Sequence, residues 1–327
     1  MKFFFYFVCS YIIGVLGAWV ISRWADTFAL IDISSHRSSH EGTIPKGAGI
    51  GILIAFVVSS IFVRISPYFW LSLTILSLIS FLGDRKEISP KIRLPVQFTA
   101  AIIMLVFSSP SSYMVSSIFL IIFFALFIVA TSNWYNFMDG INGIAGVTAV
   151  VGLGLLAFYA YFSHGDNRVI IVASCVISAC LGFLPFNIPK ARVFMGDVGS
   201  IFLGFLFAAF VIMLSKNFLD FICLSGFLFP FYADEFVTMA VRLKDRENLL
   251  KAHRRHFYQL LVNEMGITHW KVSTGYGLLQ LIVGLSILCI KPFGVIPVIS
   301  LLVFFFAVFI WVNYLVRTKL AVRYEVR

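Results

Sequence analysis

Residues 133–146 read Asn-Trp-Tyr-Asn-Phe-Met-Asp-Gly-Ile-Asn-Gly-Ile-Ala-Gly, flanked by apolar runs from about Tyr113 to Ala130 and from Ile144 to Phe162. The stretch places the carboxylate of Asp139, with Asn133, Asn136 and Asn142 around it, at the mouths of two helices suited to a bilayer. Charge at such a position is costly in hydrocarbon and marks a functional site. A second cluster, Val-Phe-Met-Gly-Asp-Val-Gly-Ser at 193–200, repeats the arrangement around Asp197. Two acids at helix mouths point to one shared metal site, with Asp139 and Asp197 as ligands.

The remainder of the chain agrees with this reading. Apolar residues make up 60% of the 327 and charged ones 12%, against roughly 25% charged in an average soluble domain. Mean hydropathy is +0.97. A spanning helix needs about 20 mostly apolar residues. About eleven such spans are expected, near 3–22, 46–64, 66–83, 94–110, 113–131, 143–163, 168–185, 198–214, 218–241, 274–291 and 293–316. The fold class is thus an all-α polytopic integral membrane protein, one transmembrane domain over 1–327.

An odd number of spans puts the termini on opposite faces, and basic residues choose the orientation. With the loop after the first span inside, twenty Lys and Arg fall on the inner face and five on the outer. This predicts an N-terminus outside, a C-terminus in the cytoplasm, and a bacterial inner (plasma) membrane location. It also explains the net charge of +10 by topology, with no nucleic acid as partner. Met1-Lys2 followed by Phe3 to Ile21 reads as a retained first span, since no Ala-x-Ala-like cleavage site follows it. Cys9, Cys175, Cys180, Cys223 and Cys289 lie in predicted spans without a CxxC pair, so packing is their expected role.

Every polar motif falls on the predicted cytoplasmic face, in loops near 31–51, 83–97, 132–146, 187–200 and 242–271. A transporter would keep polar groups near the bilayer midplane, but the middle of each span here is nearly free of charge. One-sided interfacial chemistry is the better reading. A transporter and a noncatalytic scaffold remain the rival classes.

These loops together resemble the polyprenyl-phosphate N-acetylhexosamine-1-phosphate transferase superfamily of MraY and WecA, glycosyltransferase family 4, and within it the WbpL-like O-antigen and capsule branch. The resemblance runs from about Asp32 to Gln259. It rests on Asp-x-x-x-His-Arg-Ser-Ser-His-x-x-x-x-Pro-x-Gly-x-Gly at 32–49, Gly83-Asp84, Asn-Phe-Met-Asp-Gly at 136–140, Phe-Met-Gly-Asp-x-Gly-Ser at 194–200 and Ala-His-Arg-Arg-His-Phe-Tyr-Gln at 252–259. It implies transfer of a sugar 1-phosphate from a UDP-N-acetylhexosamine to undecaprenyl phosphate, releasing UMP, to start an O-antigen, capsule or related envelope polysaccharide. The partners implied are those two substrates and the lipid bilayer, with a homodimer left open. The cofactor implied is Mg²⁺, with Mn²⁺ as a substitute. An MraY-type phospho-MurNAc-pentapeptide transferase is the alternative within the family.

The resemblance also implies roles. Asp197 opens a helix in a Gly-Asp-x-Gly-Ser turn, where backbone N–H groups can approach phosphate, and is expected to bind Mg²⁺ rather than only cap the helix. Asp139, Asn133, Asn136 and Asn142 would border the same pocket, the bland alternative being a polar helix break. Asp84 would act on or position the acceptor phosphate, its ordinary alternative being to cap the short loop before Ile88. His253, Arg254, Arg255 and His256 would hold the donor, as would His36, Arg37 and His40 of the first loop. Against this, Arg242 to Val262 has the apolar pattern of a basic interfacial helix. Asp234 matches an acid of the family without an assignable role, and His164 and His269 look incidental. Gly83 and Asn142 stand where many relatives carry a carboxylate. A direct attack by the lipid phosphate is the expected mechanism, since that phosphate is largely ionised near neutral pH.

Overall fold

The computed structural model describes residues 2–34, 42–86, 88–108, 117–163, 165–248 and 253–325. His36, Arg37, His40 and His164 lie outside these residues. Helix α1 (Lys2–Phe28) leads into a two-stranded antiparallel ribbon, β1 (Ile31–Ile33) with β2 (Thr43–Pro45), in which Asp32 faces Ile44. There follow α2 (Gly49–Phe62), α3 (Pro67–Arg85), α4 (Pro90–Ser108), α5 (Ile118–Phe137), α6 (Ile144–Phe162), α7 (Asn167–Asn187) and α8 (Asp197–Leu214). The last group is α9 (Phe218–Ser225), α10 (Phe229–Lys244), a short turn α11 (Phe257–Gln259), α12 (His269–Ile290) and α13 (Val295–Glu325).

Among the described residues, ten helical stretches are long and apolar enough to cross a membrane. The second expected span is shorter: α2 has 14 residues, about 21 Å at 1.5 Å per residue, less than the roughly 30 Å of hydrocarbon in a bilayer. It nonetheless crosses the bundle. Its first residue bonds to the site loop, Gly49 N–H to the Met195 carbonyl at 2.9 Å, and Arg64 just past its end accepts from Arg168 at the far end of α7. Tyr6 near the start of α1 stacks on Phe62, and Arg317 in α13 donates to the Arg255 carbonyl at 2.8 Å. The two ends of the chain therefore lie on opposite faces of the bundle, the C-terminal end beside the polar loops.

Two other expectations change. Helix α5 continues past residue 131 to Phe137, so Asn133 and Asn136 sit in its last turns rather than in a loop. This is possible because Asn133 spends its amide inside the bundle, on the Val129 carbonyl and on Gln97 of α4. The ninth span is two helices, α9 and α10, joined by a 3₁₀ turn at Gly226–Leu228. Pro230, which has no N–H to donate, sits in the first turn of α10, where none is needed.

Helix α8 is the centre of the bundle. Every residue from Val198 to Ile212 is buried, whereas the equally apolar α13 is mostly uncovered by the rest of the chain. It packs on α5, α3, α2 and α6. Small residues let the backbones close up: a Cβ built on Gly49 of α2 would lie 2.4 Å from the Cα of Gly199 in α8.

Candidate active site

The N-terminus of α8 is where three loops meet. Gly196 precedes the helix with φ of 76°, in the left-handed region open to glycine. A Cβ there would also fall 2.7 Å from Asp84 Oδ2 and 2.8 Å from the Gly47 nitrogen. Asp84, at the end of α3 and buried, accepts the backbone N–H groups of Asp197 at 3.0 Å and Val198 at 3.2 Å. It thus caps α8 from another helix instead of its own loop before Ile88. A carboxylate suits that place, because the first N–H groups of a helix have no partner inside it and carry partial positive charge.

The first loop docks on the same corner. Gly47 and Ala48 donate to the Phe194 carbonyl at 3.2 and 3.1 Å, and Phe194 donates to that of Pro45 at 2.7 Å. The Pro45-Lys46-Gly47-Ala48-Gly49 segment is therefore a backbone clamp on Phe194–Met195. It brings Lys46 within electrostatic reach of Asp84 and 3.5 Å from Asp32.

Asp197 opens toward solvent, its side chain 37% exposed. Oδ1 accepts from Asn136 Nδ2 at 2.9 Å, and the same amide donates to Ser200 Oγ at 2.9 Å. Oδ2 accepts from Arg93 of α4 at 3.1 Å. Beside this pair is a cavity of about 170 Å³ lined by Ile79, Ser80, Gly83, Ile88, Arg93 and Asp197. A Cβ on Gly83 would meet only Ile88, at 3.7 Å, so the missing carboxylate at 83 leaves open space.

Asp139 lies one turn beyond Asn136, and its carboxylate takes no hydrogen bond among the described residues. Burial, with the charges of Asp197 and Asp84, pushes it well above the ordinary carboxylate range. Below it, the Tyr258 hydroxyl donates to the Phe137 carbonyl at 3.0 Å and fills the space of a Cβ at Gly140, 2.2 Å away. The ring of His256 stacks on Tyr258 at 5.6 Å, and His253 lies 4.7 Å from His256. The histidine loop thus reaches the Asp139 turn through Tyr258.

That loop is anchored by Asp234, which is fully buried in α10. It accepts from Phe257 N–H at 2.7 Å, Tyr258 N–H at 3.1 Å, Tyr276 Oη at 2.7 Å and Thr238 Oγ1 at 3.0 Å. This is the role that could not be assigned from sequence. The rival reading of a single interfacial helix from 242 to 262 is interrupted, since among the described residues 245–248 and 253–256 are not helical. α10 stops at Lys244, and Arg242 turns back onto Glu247 and the Asn248 carbonyl. Arg255 pairs with Asp245 at 2.6 Å and with Glu247, and Arg254 with Glu264 at 3.3 Å. Both guanidinium groups are thereby tied to neighbouring acids. Burial and the positive charges of His256, Arg242 and Arg255 depress His253 to about 4, so its ring is neutral at ordinary pH.

The structure brings Asp84, Asp139, Asp197 and Asn136 together, with the histidine loop behind them. Two expected residues have other partners. Asn133 bonds Gln97, while the Asn142 side chain donates to the Pro189 carbonyl at 3.4 Å and its backbone holds the start of α12, its N–H donating to His269 Nδ1 at 3.2 Å and its carbonyl accepting from Ser273 at 2.7 Å. His269 is therefore an acceptor in the framework and not incidental. Arg93 and Tyr258 escaped the sequence reading. Among the described residues no group of three His, Cys, Asp or Glu side chains is disposed to hold a metal ion. A two-carboxylate site does suit Mg²⁺, which is bound through one or two carboxylates with substrate phosphates and water completing six oxygens. The half-exposed Asp197 and the unpartnered Asp139 provide such a donor set.

Comparison with known proteins adds to this geometry. The family model described as glycosyl transferase family 4 matches residues 66–215, a range that holds Asp84, Arg93, Asn136, Asp139 and Asp197 and stops short of the histidine loop. An undecaprenyl-phosphate alpha-N-acetylglucosaminyl 1-phosphate transferase of Thermotoga maritima is 28% identical over 274 residues, covering 82% of this chain and 85% of that protein. A probable undecaprenyl-phosphate N-acetylglucosaminyl 1-phosphate transferase of Bacillus subtilis is 28% identical over 61% of this chain and 59% of its own length. A phospho-N-acetylmuramoyl-pentapeptide-transferase of Staphylococcus saprophyticus is 32% identical over 52% of this chain and 54% of its own length.

Proposed function

Because residues 66–215 match the glycosyl transferase family 4 model and most of the chain is similar to a transferase of this kind, we propose that it transfers an N-acetylhexosamine 1-phosphate from a UDP-sugar to undecaprenyl phosphate, releasing UMP, as the first step of an O-antigen, capsule or related envelope polysaccharide. The observation that carries this reading is the convergence of the first loop and both Asp loops on the N-terminus of α8, where Asp84, Asp139 and Asp197 gather beside Arg93. The basic bias of the loops on this face supports a site toward the cytoplasm of a bacterial inner membrane.

In the proposed reaction an oxygen of the lipid phosphate attacks the sugar-bearing phosphorus of the donor. The new P–O bond forms as the bond from that phosphorus to the bridging oxygen breaks, and UMP leaves with the electron pair. No strong base is required of the protein, since a phosphomonoester is mostly dianionic above its second pKa of about 6. Asp139 and Asp197 would hold a Mg²⁺ ion, whose charge would offset that developing on the leaving UMP. Asn136 orients the Asp197 carboxylate, and Asp84 holds the helix end that presents it. Neutral His253 is suited to hydrogen bonding with the donor rather than to charge pairing.

The test is UMP release by purified protein in detergent with Mg²⁺, undecaprenyl phosphate and a panel of UDP-N-acetylhexosamines that includes UDP-MurNAc-pentapeptide. Release that requires lipid, metal and one donor is the expected result and names the sugar. Folded protein that binds none of these donors and releases nothing with any of them overturns the proposal.

A further inference from the structure

Among the described residues, Arg93 makes one side-chain hydrogen bond, from one of its terminal nitrogens to Asp197 Oδ2. Its Nε is buried and has no acceptor. A guanidinium has five donors in a planar fork, so four of its N–H groups are unused beside a 170 Å³ cavity that it lines together with Ser80 and Gly83. The cavity reaches the apolar side chains of Ile79 and Ile88. The Cβ position of Gly83 is open, which leaves the guanidinium room to move.

Both Asp197 oxygens are occupied, one by Asn136 and one by Arg93. A divalent cation on this carboxylate and a guanidinium on the same oxygen repel each other, because like charges that close are only partly screened at a half-buried site. We infer that Arg93 is a resident counter-charge that leaves Asp197 when a divalent cation binds there, and then takes an anionic phosphate on an isoprenoid chain with its unused donors in the Gly83 cavity. Arg93 thereby couples metal binding to acceptor binding. The shape agrees: the fork matches two phosphate oxygens, and Ile79 and Ile88 offer apolar surface to the first isoprene units.

This inference rests on the function proposed above, and the experiment separates the two. Titration calorimetry on the full chain in detergent would measure Mg²⁺ alone, then farnesyl phosphate with and without Mg²⁺, with no UDP-sugar present. In the wild type, farnesyl phosphate should bind on the order of tenfold tighter with Mg²⁺ than without, a typical size for coupling between two sites. In Arg93→Ala, Mg²⁺ should bind a few-fold tighter, farnesyl phosphate at least tenfold weaker, and the coupling should vanish. Arg93→Lys, which keeps charge but not the fork, should keep part of the coupling. A merely structural Arg93 would weaken both ligands together. That result, or unchanged farnesyl phosphate affinity in a variant with wild-type melting temperature, overturns the inference while leaving the transferase reading intact. Wild-type protein that binds neither Mg²⁺ nor farnesyl phosphate overturns both.

Discussion

Two aspartates on the same face of the bundle, Asp197 and Asp234, are held in opposite ways. Asp234 is fully buried, accepts four hydrogen bonds from backbone N–H or hydroxyl groups and has the His256 ring 3.8 Å away, every one of these groups held by the fold. Asp197 is half-buried, next to a cavity, and its oxygens meet an amide and a guanidinium that a ligand could displace. The first arrangement satisfies a charge permanently, because each donor is fixed by the fold. The second satisfies it provisionally. A carboxylate of the first kind is framework and one of the second kind is available for chemistry, although both stand in motifs of similar appearance.

Exchanging each acid for its amide is the sharpest way to break this comparison. Asp197→Asn should lower UMP release by roughly 10³-fold, about 4 kcal/mol of lost transition-state stabilisation, with the melting temperature nearly unchanged. Asp234→Asn should do the reverse in kind: an amide cannot accept from all four donors, and leaving buried donors unpaired costs about 3 kcal/mol of stability. Thermal unfolding in detergent would show it, and loss of activity without loss of stability there would erase the distinction.

Gly140→Ala tests the link between the two corners. The added methyl meets the Tyr258 hydroxyl, so about 1–3 kcal/mol of strain is expected, with UMP release reduced on the order of tenfold as the Asp139 turn shifts. Tyr258→Phe in the same chain should restore part of both. Asp84→Asn keeps the shape of the α8 cap but removes its charge, at about 1 kcal/mol of stability; a larger loss of activity than of stability would assign Asp84 to the chemistry. The smallest effect concerns pH. His253 is depressed to about 4 in the folded chain against about 6.5 unfolded. Between those values the unfolded chain binds more protons, so stability falls as pH drops from 6.5 to 4. His253→Gln should flatten that slope in melting curves taken across the window.

What was legible in the sequence was whatever is local in it. The spans follow from apolar runs, and Asp197 and Asp139 stand out because each is a lone acid at the end of one. Arg93 did not stand out, since a basic residue in an inner loop reads as topology. Its signal was in spacing across two helices. Arg93 and Gln97 are four apart on α4 and Asn133 and Asn136 three apart on α5, the separations that put residues on one helical face. The pairs meet as Gln97 with Asn133, and Arg93 with Asn136 at the oxygens of Asp197. No single helix contains that pattern. The rival reading of an interfacial helix after Arg242 rested on leucine spacing alone, which does not show the ion pairs that Arg242 and Arg255 make with Glu247 just past the end of α10.

The burial of α8 has a mechanical consequence. A helix gripped on every side from Val198 to Ile212 behaves as the axle of the bundle, and its amides should exchange with deuterium only when the whole bundle opens. Asp197 is mounted on the end of that axle and cannot travel. Any motion needed to admit a donor and a lipid, or to discharge a product, must therefore be made by the loops around it, and the turnover rate would be a property of those loops more than of the aspartate they surround.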